Sequence, residues 1–336
     1  MYLEKPFFQA KYETISIFVT YFYTRFPGSL LDSQKPAIYI TVKHAGRSPA
    51  ELAEQIQRET WKMKKIGFID LFIDEWHANN YPQWFREAPR AGEFELGYAW
   101  EEKTQPGGRS LEKWCEDFRM TPGRCIEEVI EKSDCICVLA PSNPEVHERL
   151  ADLPLRSGKP LYIDKPFADS RAAAERIFAL AEKHGTPLMS SSALRFGDEL
   201  ISGKLQAMKP TLFSTTGGGR SFDEYGIHQL EMIVSIMGAD VREMKLTGDV
   251  EKLLLTLEYG NGNLAQIAYT PAMPFTVTAA DGKTTEVYSA ITNTFQNLIA
   301  AMMDFFATGK SIIPKEQTIG IAALLEKSVS MLHGNQ

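Results

Sequence analysis

The sequence predicts an α/β protein: a Rossmann-like, doubly wound parallel sheet, then a smaller α+β domain with an open, largely antiparallel sheet. Two observations predict this fold class. Between residue 64 and about residue 196, short apolar runs alternate with amphipathic segments, which is typical of a parallel sheet covered by helices. After about residue 196 the rhythm changes to successive strands joined by tight turns, with two long helices at the end.

The first predicted domain, 63–196, is of the Rossmann-like type. Its strands are predicted at "IGFID", "FELGYAW", "CICVLAP", "PLYID" and "PLMSSS". Its helices are predicted at "WHANNYPQWFREA", "SLEKWCEDF", "CIEEVIEKS", "NPEVHERLADLPLRSG" and "SRAAAERIFALAEKHG". The last of these has apolar residues at helical spacing and ends at Gly185, a typical helix stop.

The second predicted domain, 197–336, is expected to hold the substrate and to carry the contacts between subunits. The segment "VREMKLTGDVEKLLLTLEYGNGNLAQIAYT" alternates strands with tight turns, and "YGNGN" is a hairpin signal. The segments "NTFQNLIAAMMDFFATG" and "EQTIGIAALLEKSVSML" are predicted to be its closing helices. An open sheet face favours a homo-oligomer.

Residues 1–62 fit neither domain, because they contain strand-like patches such as "AIYITVK" but no βαβ rhythm. Met63 stands directly before "KKIGFID", where a Rossmann-type chain commonly begins. The upstream "QRETWK" can be encoded by a purine-rich stretch suited to a bacterial ribosome-binding site. One interpretation is therefore that the natural start is Met63 and that 1–62 is an extension outside the native protein; the other is that the extension is native.

Composition narrows the class of protein. Of 336 residues, 44% are hydrophobic and 24% are charged, which is typical of a folded globular protein. A net charge of -7 gives no electrostatic reason to expect nucleic acid or an anionic membrane surface. The apolar run "ISIFVTYFY" is too short to span a bilayer, and no secretory signal is evident, so a cytoplasmic protein is expected. The spacing of the four cysteines matches no zinc module, and no metal site is predicted from them.

Two motifs resemble a known family. They are "GKPLYIDKPFADSRAAAERIFALAEKHGTPLMSSSALRF" (158–196) and "GGGRSFDEYGIHQLEMIVSIMG" (217–238). In order, and with the late "FQNLIAAMMDFFATGKSIIP", they resemble the glucose–fructose oxidoreductase, inositol dehydrogenase and rhizopine-catabolism (Gfo/Idh/MocA) family. The resemblance implies an NAD(P)-dependent oxidoreductase acting on a hydroxyl of a sugar, inositol or related polyol.

The same resemblance implies the site residues. Lys165 matches the lysine that orients or acidifies the substrate hydroxyl, and His228 matches the general base. Glu224 and Glu231 stand where the family usually has Asp, so each carboxylate reaches further by one methylene. The expected catalytic residues are thus Lys165, His228 and Glu224, and the expected substrate contacts are Lys165, His228, Glu231 and Arg195.

Chemistry supports these roles, since alcohol oxidation needs a base for the hydroxyl proton and a group that lowers the alcohol pKa. Glu224 and His228 at i, i+4 share a helix face and could act together. Structural alternatives stay open: Lys165 as a solvated strand end, His228 as a core histidine or helix cap, and Glu231 as an ordinary helix acid.

The predicted cofactor is NAD, but the glycines that let a backbone approach a pyrophosphate are missing. Asp70, Phe72 and Glu75 stand at or near the three glycine positions, and carboxylates repel a dianion. Glu101, at the end of the second strand, is placed to hold ribose hydroxyls and to disfavour NADP. The remaining cofactor contacts are expected from the "APSN" turn and the fifth strand: Ala140, Pro141, Asn143, Asp164 and Lys165.

The acids of the first turn have several explanations. Asp74 could cap the following helix, while the negative charge of Glu75 interacts favourably with the positive end of the helix dipole. Alternatively, the cluster could bind a polyol or a divalent metal; its members are Asp70, Asp74, Glu75, His77, Asn79 and Asn80. Three functions therefore remain open: a nicotinamide-dependent oxidoreductase with the cofactor in an altered pose, a cofactor-free carbohydrate-binding or regulatory protein, and a metal- or acid/base-assisted lyase or hydrolase.

Overall fold

The computed structural model describes residues 63–334 and, upstream, only the backbone of β1 (Phe18–Tyr21) and β2 (Ile38–Thr41). These two strands pair antiparallel. Residues 1–62 form one compact unit and residues 63–336 another. The predictions for residues 1–62 otherwise lie outside the described residues.

A six-stranded, all-parallel sheet forms the first half of residues 63–334, in the order β5-β4-β3-β6-β7-β8. Its strands are β3 (Lys64–Asp70), β4 (Phe94–Glu101), β5 (Thr121–Pro122), β6 (Cys135–Val138), β7 (Leu161–Ile163) and β8 (Leu188–Met189). The helices between them are α1 (Trp76–Glu87), α2 (Leu111–Phe118), α3 (Ile126–Lys132), α4 (Pro144–Leu155) and α5 (Arg171–His184). The central β6 is buried along its whole length, as a strand covered on both faces must be.

A second six-stranded sheet, of order β10-β11-β12-β9-β13-β14, is antiparallel except where β12 pairs with β9. Its strands are β9 (Leu212–Gly217), β10 (Val241–Gly248), β11 (Leu253–Tyr259), β12 (Leu264–Tyr269), β13 (Thr276–Ala280) and β14 (Thr285–Tyr288). The helices of this half are α6 (Asp198–Ile201), α7 (Lys204–Met208), α8 (Phe222–Met237), α9 (Thr294–Thr308) and α10 (Lys315–Gly334).

These sheets confirm the predicted fold class. The glycine stop at Gly185 is as predicted, since Gly185 follows α5 in left-handed conformation with φ of 66°, and Gly309 follows α9 in the same way with φ of 68°. The predicted strand "PLMSSS" is shorter than expected, because Ser190–Ser192 lead instead into a 3₁₀ turn, in which the Ser192 hydroxyl accepts from the Leu194 N–H. The predicted division near residue 196 falls in the segment that joins the two sheets.

The carboxyl ends of β3, β6 and β7 meet at one edge of the first sheet, where open α/β folds bind ligands. Three chain segments leave the sheet there: the loop 71–75, the turn 140–143 and the segment after Ile163. Helix α8 packs against the 3₁₀ turn at Ala193–Phe196, so its polar residues face this edge. We call the space bordered by these segments the crevice. Within residues 63–334, no helix combines the length and apolar character needed to cross a membrane.

Candidate active site

Lys165 lies at the end of β7, almost fully buried. Its Nζ donates to the carbonyl of Pro141 at 3.1 Å, and its backbone N–H donates to the Asp164 carboxylate at 2.8 Å. Burial lowers the pKa of Lys165, and the nearby carboxylates of Asp164 and Glu224 oppose that shift. The side chain is therefore held in the crevice rather than solvated, and its fixed position suits donation to a substrate oxygen.

His228 lies on α8, and its ring is held on three sides. Its Nδ1 is 2.7 Å from the hydroxyl of Ser192, and its ring meets Tyr225 and Phe275 edge-on at centroid distances of 5.5 and 5.7 Å. Burial, followed by the charges of Lys165 and His77, lowers the pKa of His228 well below its usual value. A histidine with this environment is neutral at pH 7, so its second ring nitrogen can accept a proton.

His77, on the first turn of α1, joins the two sides of the crevice. Its Nδ1 makes a short hydrogen bond with the buried Asp164, and its ring stacks on Tyr81 at 5.3 Å and 13°. Although burial acts to raise the pKa of Asp164, His77 and Lys165 outweigh it and hold that pKa below its usual range. Asp164 thus ties Lys165 to the N-terminus of α1.

Glu224 and His228 share α8 as predicted but do not bond to each other. Glu224 accepts from the hydroxyl of Ser142 at 2.7 Å and pairs with Arg220, whereas the ring of His228 is held by Ser192. The hydrogen bond from Ser142 connects α8 with the "APSN" turn. Sequence reasoning missed Ser192, because nothing in the run "SSS" identifies which serine meets a histidine 36 residues later.

Glu231 and Arg195, both expected to bind substrate, bond to each other. Their Oε2 and Nε atoms are 2.5 Å apart, and both side chains are buried. Glu231 also accepts from the Ser192 backbone N–H at 3.1 Å, and Arg195 donates to Gln317 at 2.7 Å. These contacts favour a bracing role for the pair, and its contact with substrate stays a prediction.

Asp70 bridges two turns of the crevice instead of leaving space for a phosphate. Its Oδ1 accepts from the Ala140 N–H at 3.0 Å and from the Phe72 N–H at 3.3 Å. Ala140 itself has a left-handed backbone, with φ of 62°. The other predicted residues of this turn have local contacts: the Pro141 carbonyl holds Lys165, and the Asn143 side chain donates to Glu145 at 2.9 Å.

Glu101 lies at the end of β4 as predicted, but both of its oxygens are occupied by the protein. Oε2 accepts from the Ile73 N–H at 3.0 Å, and Oε1 accepts from the Thr104 hydroxyl at 2.7 Å. Three amides of the loop 71–75 are similarly committed, because Phe72 donates to Asp70, Ile73 donates to Glu101, and the Glu75 N–H donates to the Ile73 carbonyl at 2.9 Å. The residues of this loop therefore do not fit a dinucleotide in the family's pose: most of its amides and the acid that would hold the ribose are used internally.

Asp70 and Glu75 form a second unusual feature of the same loop. Asp70 Oδ2 and Glu75 Oε1 are both buried, and neither has a hydrogen-bond partner among the described residues. Burial and then the charge of Glu75 raise the pKa of Asp70 well above its usual value. Burial and then the charge of Asp164 raise the pKa of Glu75 to about 8. Burial and the repulsion between two neighbouring carboxylates both favour the protonated form, so this pair retains a proton to higher pH than isolated carboxyls do.

The proposed capping role of Asp74 is wrong. Helix α1 begins at Trp76 with Glu75 as N-cap and no side-chain cap. The Asp74 carboxylate instead accepts from the Arg109 backbone N–H at 2.8 Å and the Arg109 guanidinium at 2.6 Å. Asn79 joins this contact, so the polar cluster divides: Asp74 and Asn79 face α2, while Asp70, Glu75 and His77 face the crevice. Among residues 63–334, no three His, Cys, Asp or Glu side chains are arranged to hold a metal ion.

The parallel sheet, the second open sheet and the lysine–histidine crevice define a two-sheet, Rossmann-type oxidoreductase fold. The model of the Gfo/Idh/MocA oxidoreductase family, described as an NAD-binding Rossmann fold, matches residues 94–192. The resemblance predicted from the motifs is therefore confirmed. A comparison with curated proteins gave no match.

Solved structures of this fold cover most of the chain. Biliverdin reductase from Synechocystis sp. PCC 6803 is similar at 15% identity and a TM-score of 0.60, covering 80% of this chain and 99% of its own. The UDP-N-acetylglucosamine 3-dehydrogenase GnnA from Acidithiobacillus ferrooxidans is similar at 12% identity and a TM-score of 0.64, covering 81% of this chain and 97% of its own. A Gfo/Idh/MocA family oxidoreductase from Vibrio cholerae is similar at 17% identity and a TM-score of 0.64, covering 81% of this chain and 99% of its own. At these identities the likeness shows the fold alone.

Proposed function

We propose that this chain is an enzyme that moves protons at a hydroxyl-bearing or carbonyl carbon of a small polyhydroxylated substrate, such as a sugar, an inositol or a related polyol. One observation carries the proposal. Lys165 and His228 come from different parts of the fold, lie within electrostatic range of each other, and both have lowered pKa values. Lowered pKa values of this kind leave a basic side chain uncharged more readily near neutral pH, so that it can accept a proton.

The two side chains divide the work. Lys165, held through one N–H by the Pro141 carbonyl, donates another N–H to a substrate oxygen. His228, held through Nδ1 by Ser192, takes a proton from the neighbouring carbon or hydroxyl at its other ring nitrogen. Removing a proton next to a carbonyl moves an electron pair onto the oxygen that Lys165 stabilises.

The loop contacts favour a form of this chemistry that needs no dinucleotide, such as isomerisation or elimination. Glu101 and the amides of the loop 71–75 are engaged with each other and with Asp70. Within the same fold, an acid–base pair alone can enolise a carbonyl substrate and return the proton to a different carbon.

An NAD(P)-dependent dehydrogenase acting on the CH–OH group of the same substrates is the second candidate. The match of residues 94–192 to an NAD-binding family supports it. It requires the nicotinamide to be held away from the loop 71–75. A cofactor-free carbohydrate-binding protein is the third outcome.

The test is solvent deuterium exchange. The purified chain is incubated in D₂O with hexoses, their ketose isomers, inositols and inososes, and carbon-bound deuterium is followed by NMR, first alone and then with NAD⁺ or NADP⁺. Exchange or isomerisation without cofactor supports the proposal. Turnover only with NAD⁺ or NADP⁺, together with NADH binding by calorimetry, would select the second candidate, and sugar binding without exchange would make the chain a binding protein.

Matched variants assign the chemistry to the crevice. Lys165→Met and His228→Asn should each slow exchange by about 10²–10⁴-fold, since each removes one partner in proton transfer. Lys183→Met and His333→Asn remove the same side-chain types from exposed or half-exposed positions on α5 and α10 and should leave the rate unchanged. Full activity in both crevice variants would contradict the proposal.

We also expect a homo-oligomer formed through the second sheet. One face of that sheet exposes apolar side chains on neighbouring strands: Leu212, Leu254, Leu264 and Val287. Leu212 and Leu264 are directly paired on this face, and exposed apolar side chains of this kind favour a contact surface. Light scattering should give a mass above that of one chain, and Leu254→Lys should lower it.

A further inference from the structure

We propose that Asp70 and Glu75 share one proton and that Glu75 is a second proton-transfer group of the crevice, occupying the turn where a dinucleotide-binding protein keeps its glycines. The inference rests on the proposed function of Lys165 and His228. It adds a residue and a step to that function, and it explains why the loop 71–75 has taken its present form.

The geometry of Asp70 comes first. Its side chain is completely buried, and Oδ1 is fixed by the amides of Phe72 and Ala140. Its Oδ2 has no partner among the described residues. A fully buried carboxylate oxygen without a donor is costly, and a proton on a neighbouring carboxyl removes that cost.

Glu75 supplies the neighbouring carboxyl. It is the N-cap residue of α1, but its side chain caps no amide of that helix, and its Oε1 is buried without a partner. Two partnerless carboxylate oxygens within interaction range are satisfied together when one proton lies between them, as in other carboxyl dyads. The raised pKa values of both groups agree with this arrangement.

Glu75 also lies on the reacting side of the loop. Two residues further along α1, His77 bonds to Asp164, whose other oxygen holds the Lys165 backbone. The charged groups that act on Glu75 come from three segments: Asp70 at the end of β3, Asp164 and Lys165 after β7, and Arg220 before α8. By contrast, Asp74 is turned away toward Arg109.

The step balances without a cofactor. When His228 removes a proton from the carbon next to a substrate carbonyl, the electron pair moves to the carbonyl oxygen beside Lys165. Glu75 transfers its proton to that oxygen, which gives the neutral enol and leaves a carboxylate that regains a proton from water. Protonated His228 then adds its proton to the former carbonyl carbon, and the hydroxyl on the carbon that was first deprotonated releases its proton to solvent as the new carbonyl forms there.

The first measurement is independent of activity. Carboxyl groups are followed by infrared spectroscopy between pH 5 and pH 10 in the wild type, Glu75→Gln, Asp70→Asn and the control Glu95→Gln, whose carboxylate is half-exposed on β4. We expect the wild type and the control to lose a protonated carboxyl band as the pH rises through about 8. Glu75→Gln should lack that step, because it removes the carboxyl that titrates there, and Asp70→Asn should shift the pH of the step, because it replaces the carboxyl with which Glu75 shares the proton. No step in the wild type, a step that survives in Glu75→Gln, or a step at an unchanged pH in Asp70→Asn overturns the shared proton.

The second measurement uses the exchange reaction. Glu75→Gln keeps the shape and hydrogen-bonding capacity of the side chain but cannot transfer a proton, so the rate should fall about 10²-fold and the fall in rate above pH 8 should disappear. Full activity and an unchanged pH profile in Glu75→Gln, with Lys165→Met and His228→Asn inactive, would overturn this inference alone. Activity in Lys165→Met and His228→Asn would overturn the proposed function itself.

Discussion

The first βα unit, residues 64–87, and the segment between Asp164 and His228 border the same crevice, but they relate to the family in opposite ways. The second segment carries the lysine and histidine motifs in their expected order, and the family model covers its first part. The first unit lies outside the match, which begins at β4. Its loop is filled with side chains that bond to one another and to Glu101.

The difference teaches that one crevice can carry the lysine and histidine motifs of a family beside a loop that lacks that family's phosphate-binding features. A pyrophosphate site needs free amides, small residues and a positive field at a helix N-terminus. Here three of the five loop amides are occupied, side chains stand at the glycine positions, and two carboxyls lie where the field should be positive. The fold alone therefore does not fix which cofactor a crevice of this kind uses.

The largest expected effect is on the bracing of the second segment. Glu231→Ala leaves Arg195 charged, buried and without its carboxylate, so the free energy of unfolding should fall by about 3–5 kcal/mol. The measurement is urea unfolding followed by circular dichroism. If Glu231 instead serves substrate alone, stability will be nearly unchanged and only substrate affinity will fall.

An exposed ion pair is the matched control for that experiment. Asp152 and Arg156 pair on α4 at 2.8 Å, each with 45% of its side chain exposed. Asp152→Ala should change stability by less than about 0.5 kcal/mol, because water and salt screen such pairs. A comparable loss in both variants would mean that burial of the Glu231–Arg195 pair contributes nothing special.

Most of the fold could be predicted from the sequence, because strands and helices leave local periodic patterns. The hairpin at "YGNGN" joins β11 to β12, and the alternation before residue 196 gives the parallel sheet. Short elements, including α6, α7 and β9, were not predicted, since they contain too few residues for a periodic signal.

The site was predictable only in part. The positions of Lys165 and His228 follow from motifs, but the hydrogen-bond partners of the surrounding acids depend on contacts between distant segments. Asp74 bonds to Arg109, 35 residues later, so a cap inferred from local sequence was wrong. Likewise, Glu101 ends the expected strand but accepts from the Ile73 amide 28 residues earlier, a contact that no local pattern predicts.

The second-largest expected effect concerns Glu75 in the first βα unit, whose contribution to stability depends on pH. The pKa of Glu75 is raised in the folded chain to about 8, above its unfolded value, so the folded state binds more protons between those values. The wild type should therefore lose stability as the pH rises toward 8 and then level off. Glu75→Gln has no such loss and should exceed the wild type by on the order of 3 kcal/mol above pH 8.

Unfolding in urea at pH 5.5, 7 and 9 measures this difference. Glu95→Gln, which removes an exposed carboxylate from β4, should run parallel to the wild type at every pH. A Glu75→Gln advantage that is constant with pH would show that the amide packs better and that no titration is involved. A difference that grows with pH would show that the titration of Glu75 changes the stability of the first βα unit. The buried Glu231–Arg195 pair of the second segment would not contribute to that difference.

The smallest expected effect on stability concerns the contact between Arg109 and Asp74, which holds the loop 71–75 against the start of α2. Arg109 holds Asp74 through three hydrogen bonds and also contacts Asp117, and its side-chain hydrogen bond keeps the pKa of Asp74 well below its usual range. Arg109→Met should lower stability by about 1.5 kcal/mol, because these are charge-assisted but partly exposed contacts.

Hydrogen exchange should rise in residues 70–80 and stay constant in residues 188–231, since the second segment has separate contacts. Arg124→Met, which breaks an exposed pair with Glu128 on α3, should leave both regions unchanged. Equal increases in both regions would mean that the loop and the lysine–histidine site are one cooperative unit, so that rebuilding the cofactor wall could not have left the substrate side intact.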